Sequence, residues 1–503
     1  MTAPSPVSLP DGPHGAMTSA QRRLVLFGCM AIMFMTAVEG SIIATAMPTI
    51  AAELGGYDLF AWAFSSFLLA QAVTIPIYGR LSDLYGRKRV FYVGAGLFTL
   101  GSLACGFATT MVGLVLARAV QGLGSGGIMP IGQTIIGDVY SPQERAQIQG
   151  YLSSMWGISA VIGPLLGAFF VEQTSWPWVF WFNIPLAIAV MILLAVVLPE
   201  NLKRAAHTID VAGAVLLSIA TGSLMLLLLQ GRDLGVAAIG VGLASVVAFV
   251  LFVLQEGRAP EPLLPIILWR DRVLRTCISG SLFVGATSMG VSAFLPTYVQ
   301  GVMGESAFVA GAVLSSLAIA WPMGATTAGQ MMLRTSYRTT SLCGASVLAV
   351  GGVLMTQVQR FDGIAYPAFA AFMVGVGLGI TNSSFTVAVQ DAAGWSVRGI
   401  ATATNTFMRM IGAAIGTALL AAVVNAGLAS RLPNATVGAE TLVDPVRRAA
   451  LRADDLARLA DAVGDGIALS FGVTVLTALG AFAFAWRMPA DAKPGQLSQR
   501  RMS

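Results

Sequence analysis

Charge is scarce in this sequence: Asp, Glu, Lys and Arg make up 11% of its 503 residues, against about 25% in soluble domains. A water-soluble chain of this length needs far more polar side chains to cover its surface, so a soluble enzyme or binding protein is excluded. Histidine is nearly absent. The two present, His14 and His207, fall outside the apolar stretches, which leaves no histidine to carry protons across a membrane. The four cysteines (Cys29, Cys105, Cys277, Cys343) each lie inside an apolar stretch and read as small packing residues, neither disulfides nor metal ligands. No phosphate-binding loop ending in Gly-Lys-Ser/Thr occurs, so ATP drive is unsupported. Metal-ligand clusters and nucleophile elbows are also missing, and no cofactor is expected. Alternating strand patterns are absent, which excludes a β-barrel. The first 23 residues are polar and Pro-rich, without the basic and apolar regions of a cleaved signal. The first apolar stretch is therefore expected to remain as an anchor.

What the chain has is apolar length. Hydrophobic residues make up 56% of it, and a membrane's hydrocarbon core of about 30 Å takes roughly 20 of them as a helix. Fourteen blocks qualify: 24–50, 60–79, 90–109, 113–136, 149–171, 178–198, 210–230, 235–255, 275–300, 306–330, 338–358, 365–390, 399–425 and 463–486. The 56 Gly and 22 Pro would break soluble helices, but packed membrane helices tolerate both. The expected fold is an all-α membrane protein with fourteen transmembrane helices: two pseudo-symmetric six-helix bundles plus a central inserted helix pair.

Basic residues set the expected orientation. With the N-terminus inside, twenty of the 29 Lys and Arg face the cytoplasm, seven face out and two (Arg118, Arg409) fall within spans. Five of the outer seven share one long segment, which counts little in the positive-inside rule. Both termini are expected in the cytoplasm, in a cell-membrane protein. The net charge of +5 suits loops facing an anionic leaflet and needs no nucleic-acid partner.

Two halves are visible. Span 5 carries Gly163-Pro164-Leu-Leu-Gly167, and span 13 carries Gly412-Ala-Ala-Ile-Gly416 at the same spacing. The loop after span 2 begins Gly79-Arg-Leu-Ser-Asp83, weakly echoed by Gly329-Gln-Met-Met after span 10. Echoes eight spans apart fit parallel six-helix halves with a pair inserted between them. The expected division is a cytoplasmic tail 1–23, a bundle 24–198, the inserted pair with its linkers 199–274, a second bundle 275–487, and a cytoplasmic tail 488–503. Within the second bundle, the external segment 426–462 reads as a surface helix or cap. The tail from about 488 is expected to be disordered.

The densest motif is Gly79-Arg80-Leu-Ser-Asp83-Leu-Tyr-Gly86-Arg87-Lys88-Arg89. A tight turn needs its glycines, and Asp83 is placed to cap a helix or pair with arginines, so that Gly79, Asp83, Gly86, Arg87 and Lys88 form a gating loop. The alternative is a basic inside loop serving topology alone, which requires neither the acid nor the glycines. This loop resembles the signature between the second and third helices of the major facilitator superfamily. Arg118-Ala-Val-Gln121-Gly122 is similar to that superfamily's fourth-helix motif. Trp156-Gly157 through Gly163-Pro164-Leu-Leu-Gly167 resembles its fifth-helix antiporter motif. Glu39-Gly-Ser-Ile-Ile-Ala-Thr-Ala-Met-Pro48 resembles the first-helix motif of its fourteen-span drug/proton antiporters. The likeness runs from about residue 22 to 487 and implies export by antiport.

Glu39 is the single carboxylate placed well inside a span. An ionised acid at mid-membrane costs roughly 2.5–3.5 kcal/mol on insertion scales. It must therefore face a cavity, pair with a cation, or hold a proton. An acid that gains and loses a proton as its exposure alternates is what a coupled exchanger requires; the alternative is a helix-packing acid neutralised by a partner. Arg118 is the natural partner. It lies about 10 Å down its span from outside and Glu39 about 22 Å up from inside, at 1.5 Å per residue, so a proton-coupling or substrate-binding pair is geometrically allowed. The other reading gives Arg118 only backbone carbonyls. Gly157, Gly163, Pro164 and Gly167 make span 5 smooth and kinkable; in the resembling family this helix seals and flexes between the halves, and generic packing is the alternative. Phe67, Gln71, Gln121, Trp156, Asn382, Asn405 and the deep cation Arg409 are candidates to line a cavity.

The expected function is proton-coupled export of lipophilic, drug-like small molecules by alternating access. The partners are that substrate, protons and membrane lipid, with no nucleic acid, and the monomer is expected to suffice. The alternatives are export of one endogenous metabolite by the same mechanism, or a non-transporting receptor or scaffold.

Overall fold

The computed structural model describes residues 17–55, 59–199, 210–231, 234–361, 363–431, 442, 452–490 and 492–495. His14, His207 and much of the segment 426–462 lie outside them. Among the described residues there is no strand, and fourteen helical segments are long and apolar enough to cross a membrane. These are α1 (Ser19–Leu54), α2 (Phe60–Tyr85), α3 (Arg87–Gly106), α4 (Met111–Val139), α5 (Pro142–Gln173) and α6 (Asn183–Val197, led in by the single turn Trp178–Trp181). Then come α7 (Val211–Gln230), α8 (Ala237–Glu256), α9 (Arg272–Thr297, continued by the wide turn Tyr298–Val302) and α10 (Ala307–Arg334). The last four are α11 (Tyr337–Met355), α12 (Ala365–Ala392), α13 (Arg398–Arg431) and α14 (Ala453–Arg487).

Several helices outrun their apolar blocks because capped polar turns precede them. At α5, Ser141 and Glu144 form a reciprocal capping box and Pro142 opens the helix, so Gln143 and Arg145 become helical although no hydropathy window would include them. α14 likewise begins with Asp454 and Asp455 in its first turn, where acids suit the helix dipole. The segment 426–462, expected as a surface helix or cap, is thus from Ala453 on the start of the last span, and at its other end α13 runs on to Arg431.

Each half has its own apolar core. Two clusters, around Phe91 and Phe98 and around Ile42 and Phe180, lie in α1–α6. A larger one, around Leu274, Leu348, Phe385 and Phe471, lies in α9–α14. The inserted α7 covers the line where α2 meets α13: Met225 is buried with Ala72, Ile75, Ala403 and Phe407, and Gln230 donates to Ser65 Oγ at 3.0 Å. α8 leans on α7, with Ser245 donating to the Ala220 carbonyl at 2.9 Å, and its other side leaves Ile239, Leu243 and Val246 exposed. Such an apolar face suits lipid and not water.

Fourteen crossings return the chain to the face on which it began, called here the termini face. There Arg22 of α1 pairs with Glu144 of α5 at 2.6 Å. Of the tail after α14, the described residues 488–490 and 492–495 depart from the expected disorder, and the rest lies outside the described residues. Met488 and Ala492 are each 1% exposed, and the Tyr337 N–H donates to the Ala492 carbonyl at 2.9 Å. Two apolar residues set four apart give this short tail a foothold that a reading of its polar composition overlooks.

Candidate functional site

Glu39 sits on α1 with none of its surface exposed. Arg118 of α4 donates Nη1 to Glu39 Oε1, and Asn183, the first residue of α6, donates Nδ2 to Glu39 Oε2 at 2.6 Å. The guanidinium is itself fixed on three more sides. It donates to Gln121 Oε1 at 2.6 Å and through Nε to the Ala63 carbonyl of α2 at 3.0 Å, and it lies over the Phe67 ring at 4.2 Å. Gln121 in turn donates to Ser102 Oγ on α3 at 2.9 Å. Five helices thus converge on one buried ion pair in which both carboxylate oxygens are bonded. Burying a charge without such partners costs several kcal/mol. Gln121 and Phe67, expected along a cavity, are placed inside this network.

Spacing along single helices explains part of the convergence. Arg118 and Gln121 are three apart on α4, so they share a face, and Arg118 lies seven residues in from Met111. Asn183, Ser102 and the Ala63 carbonyl escaped the sequence reading. A lone amide at the mouth of the apolar run after Trp181 was the signal available for Asn183; a backbone carbonyl leaves none.

The gating loop forms a second assembly at the termini face. Gly86 has φ +99°, a backbone that glycine adopts without strain, and it turns α2 into α3. Asp83 accepts backbone N–H bonds from Gly399 at 2.9 Å and Ile400 at 2.8 Å, at the start of α13. A carboxylate there meets both unpaired N–H groups and the positive end of the helix dipole. Arg87 pairs with Asp83 at 2.9 Å and with Asp138 of α4 at 2.9 Å, and also donates to the Trp395 carbonyl at 2.8 Å. Arg398 of α13 reaches back to Asp138 at 2.7 Å. These charges join the two halves. Gly79 permits the approach: a Cβ there would lie 3.1 Å from the Gly399 carbonyl oxygen and 3.2 Å from Ile400 Cα. Lys88 stands apart, donating to the Ala195 and Leu198 carbonyls at the end of α6, where a cation suits the helix C-terminus. Asp138, Trp395 and Arg398 were not singled out from sequence, because nothing local links them to residues 79–88.

The glycines of α5 serve two different partners. A Cβ at Gly157 would lie 3.0 Å from the Ala318 carbonyl oxygen of α10, in the other half. At Gly167 it would lie 2.7 Å from the Ile42 carbonyl oxygen, and at Gly163 it would run into Ser41, both on α1. Pro164 lies inside the helix between them. Gly412 and Gly416 of α13 pack against Leu282 and Ala286 of α9 in the same manner, as the repeated spacing suggested. α5 thus crosses to the other half near the termini face and returns to its own half beyond Gly157.

The remaining candidates are dispersed. Gln71 donates to Ser125 Oγ at 2.9 Å. Asn405, 2% exposed, accepts from Ser281 at 2.6 Å within the second half. Asn382 is buried with its Oδ1 unpartnered. Trp156 is 44% exposed on α5, and Arg409 is half-buried on α13. The structure does not bring these into one wall.

The chain matches the Major Facilitator Superfamily over residues 29–417. It is 32% identical over 423 residues to Multidrug resistance protein 3 of Bacillus subtilis, covering 83% of each chain. It is 30% identical over 411 residues to the Multidrug transporter protein MdtP of the same organism, covering 81% of this chain and 76% of that one. Among solved structures it superposes on the proton:xylose symporter XylE with a TM-score of 0.66 at 12% identity, over 96% of this chain and all of the other. With the human organic anion transporter MFSD10 the TM-score is 0.64 at 13% identity, over 91% and 99%. At such identities the structural likeness shows the fold alone.

Proposed function

From the premise that this chain belongs to the Major Facilitator Superfamily, and is a multi-pass membrane transporter, we propose that it exports lipophilic, drug-like small molecules in exchange for protons. Its two multidrug-transporter relatives support the substrate class. The observation that carries the coupling is the sealed Glu39–Arg118–Asn183 centre. A carboxylate with no exposed surface needs its charge balanced, and here a permanently charged guanidinium does so. When Arg118 moves off, only a proton or a cationic substrate group can take its place. If one motion opens the site to outside water and separates the pair, the acid takes up a proton there. If the return motion restores the ion pair, the proton leaves to the other side. A cationic or polar substrate group can compete for the same carboxylate.

The gating loop supplies the motion in this proposal. With Asp83, Arg87, Asp138 and Arg398 joined, the termini face is closed, and separating these charges lets the halves 24–198 and 275–487 rock apart there. The proposal places both termini in the cytoplasm, by the distribution of basic residues, and takes the monomer as the working unit, carrying no cofactor. Export of one endogenous metabolite uses the same machinery and differs only in cargo.

The test is dye efflux in everted vesicles under an imposed pH gradient. Wild type is expected to move dye uphill, and Glu39→Gln to lose gradient-driven flux. A panel of chemically unrelated cargoes separates broad drug export from a single metabolite.

A further inference from the structure

A second polar cluster lies at the termini face and takes no part in the assembly around Asp83. Asp391, in the last turn of α12, is 2% exposed. It accepts from the Tyr337 hydroxyl at 3.1 Å and from the backbone N–H of Gly495 at 2.9 Å. Its place repeats that of Asp138 at the end of α4. Each acid is followed seven residues later by an arginine opening the next helix, Arg145 after Asp138 and Arg398 after Asp391. The partners are not repeated. Gly79, Asp83 and Arg87 follow at intervals of four, whereas the same intervals from Gly329 reach Leu333 and Tyr337. The second copy therefore lacks both the acid and the guanidinium that bind the halves in the first, and where Asp138 has Arg87, Asp391 has the Tyr337 phenol.

The C-terminal segment occupies the gap. Met488 and Ala492 are buried, Ala492 belongs to the core of the second half, and its carbonyl accepts from the Tyr337 N–H. Gly495, with φ +80°, turns its own N–H onto Asp391. The carbonyl just before it, Pro494 O, accepts from Gln143 Nε2 at 3.4 Å. Gln143 belongs to the other half, in the first turn of α5. That turn is inserted deeply: Ala146 is buried in the core of the second half, and Arg145 is 4% exposed with Nη1 unpartnered.

We propose that residues 488–490 and 492–495 act as a clasp. They replace the missing half of the second charge assembly and hold the first turn of α5 against the ends of α11 and α12 while the termini face is closed. The clasp stays seated on α11 and α12 when the face opens and releases Gln143. This rests on the alternating-access reading above, since it requires that the halves part at this face.

The test uses the otherwise complete protein in lipid nanodiscs, with native cysteines changed to alanine and spin labels at Arg89→Cys and Arg334→Cys. Both positions are exposed on the termini face, one in each half. Two variants are compared with the intact chain: a truncation ending at Ala490, which keeps α14 whole, and Gly495→Pro, which removes the N–H and forbids the positive φ. The long-distance population should rise about three- to tenfold in both, as the loss of one or two hydrogen bonds allows. If Asp83→Asn lengthens the distance while neither clasp variant does, the clasp is refuted and alternating access stands. If Asp83→Asn also leaves the distance unchanged, the alternating-access reading falls and the clasp with it.

Discussion

Replacing Glu39 with glutamine isolates charge from shape. The side chain keeps its length and one carbonyl acceptor for Arg118. The bond from Arg118 stays charge-assisted through the guanidinium, within about 1.5–3 kcal/mol, but loses the second charge. The amide adds an N–H2 group that would confront the Asn183 donor, but Asn183 Oδ1 is buried without a partner. A flip of that amide supplies the acceptor. Hydrogen bonding therefore changes by up to roughly 1.5 kcal/mol. The unbalanced Arg118 charge adds to this, up to the roughly 3–5 kcal/mol seen when one member of a buried pair is removed. The fold should survive, because the rest of the network around Arg118 is untouched. Every step that needs an ionisable acid should not. Since about 1.4 kcal/mol is a factor of ten, uphill dye efflux in everted vesicles should fall at least about tenfold, while dye should still equilibrate down its own gradient. A variant that pumps uphill as well as wild type, with expression matched, would show that the coupling proton resides elsewhere.

Four further outcomes follow from the same geometry. Changing Asn183 to alanine leaves Glu39 Oε2 buried without a donor, at a cost of about 1–3 kcal/mol; gradient-driven flux should fall while substrate binding to detergent-solubilised protein changes little. Between Asp138→Asn and Arg398→Gln, a double-mutant cycle on thermal unfolding should give a coupling energy of about 0.5–3 kcal/mol, and additive effects would remove that pair from the closed face. Enlarging Gly163 to valine drives a side chain into Ser41, so stability should drop by about 1–3 kcal/mol and transport should be lost. Serine added at the half-buried Gly472, where nothing lies within 4 Å of an added Cβ, should leave both unchanged.

Much of the architecture was legible because a bilayer imposes a length and a polarity on each crossing. Fourteen apolar blocks became fourteen helices, and the repeated Gly-x3-Gly spacing marked α5 and α13 as equivalent helices that pack closely, each on a neighbour in its own half. The residues read poorly were those whose partners are distant in sequence. Arg118 and Glu39 announce themselves as charges in apolar surroundings. Asn183, Ser102 and the Ala63 carbonyl, which complete their shell, are ordinary polar groups until five helices meet. The same holds for Asp138 and Arg398, separated by 260 residues, and for the tail, whose two apolar anchors have meaning only beside Tyr337 and Asp391.

The sequence by itself determined that the chain is a many-helix membrane protein with one acid in mid-membrane and a charged turn at one face. It did so because the cost of burying charge and unpaired backbone in hydrocarbon is fixed by the solvent and needs no partner to be known. Only the tertiary structure decided that both oxygens of Glu39 are bonded, that Asp83 caps the opening turn of α13, and that the C-terminal segment spans the junction of the halves. Hydrogen bonds and ion pairs act over a few ångströms, and which groups come that close is settled by how the helices pack.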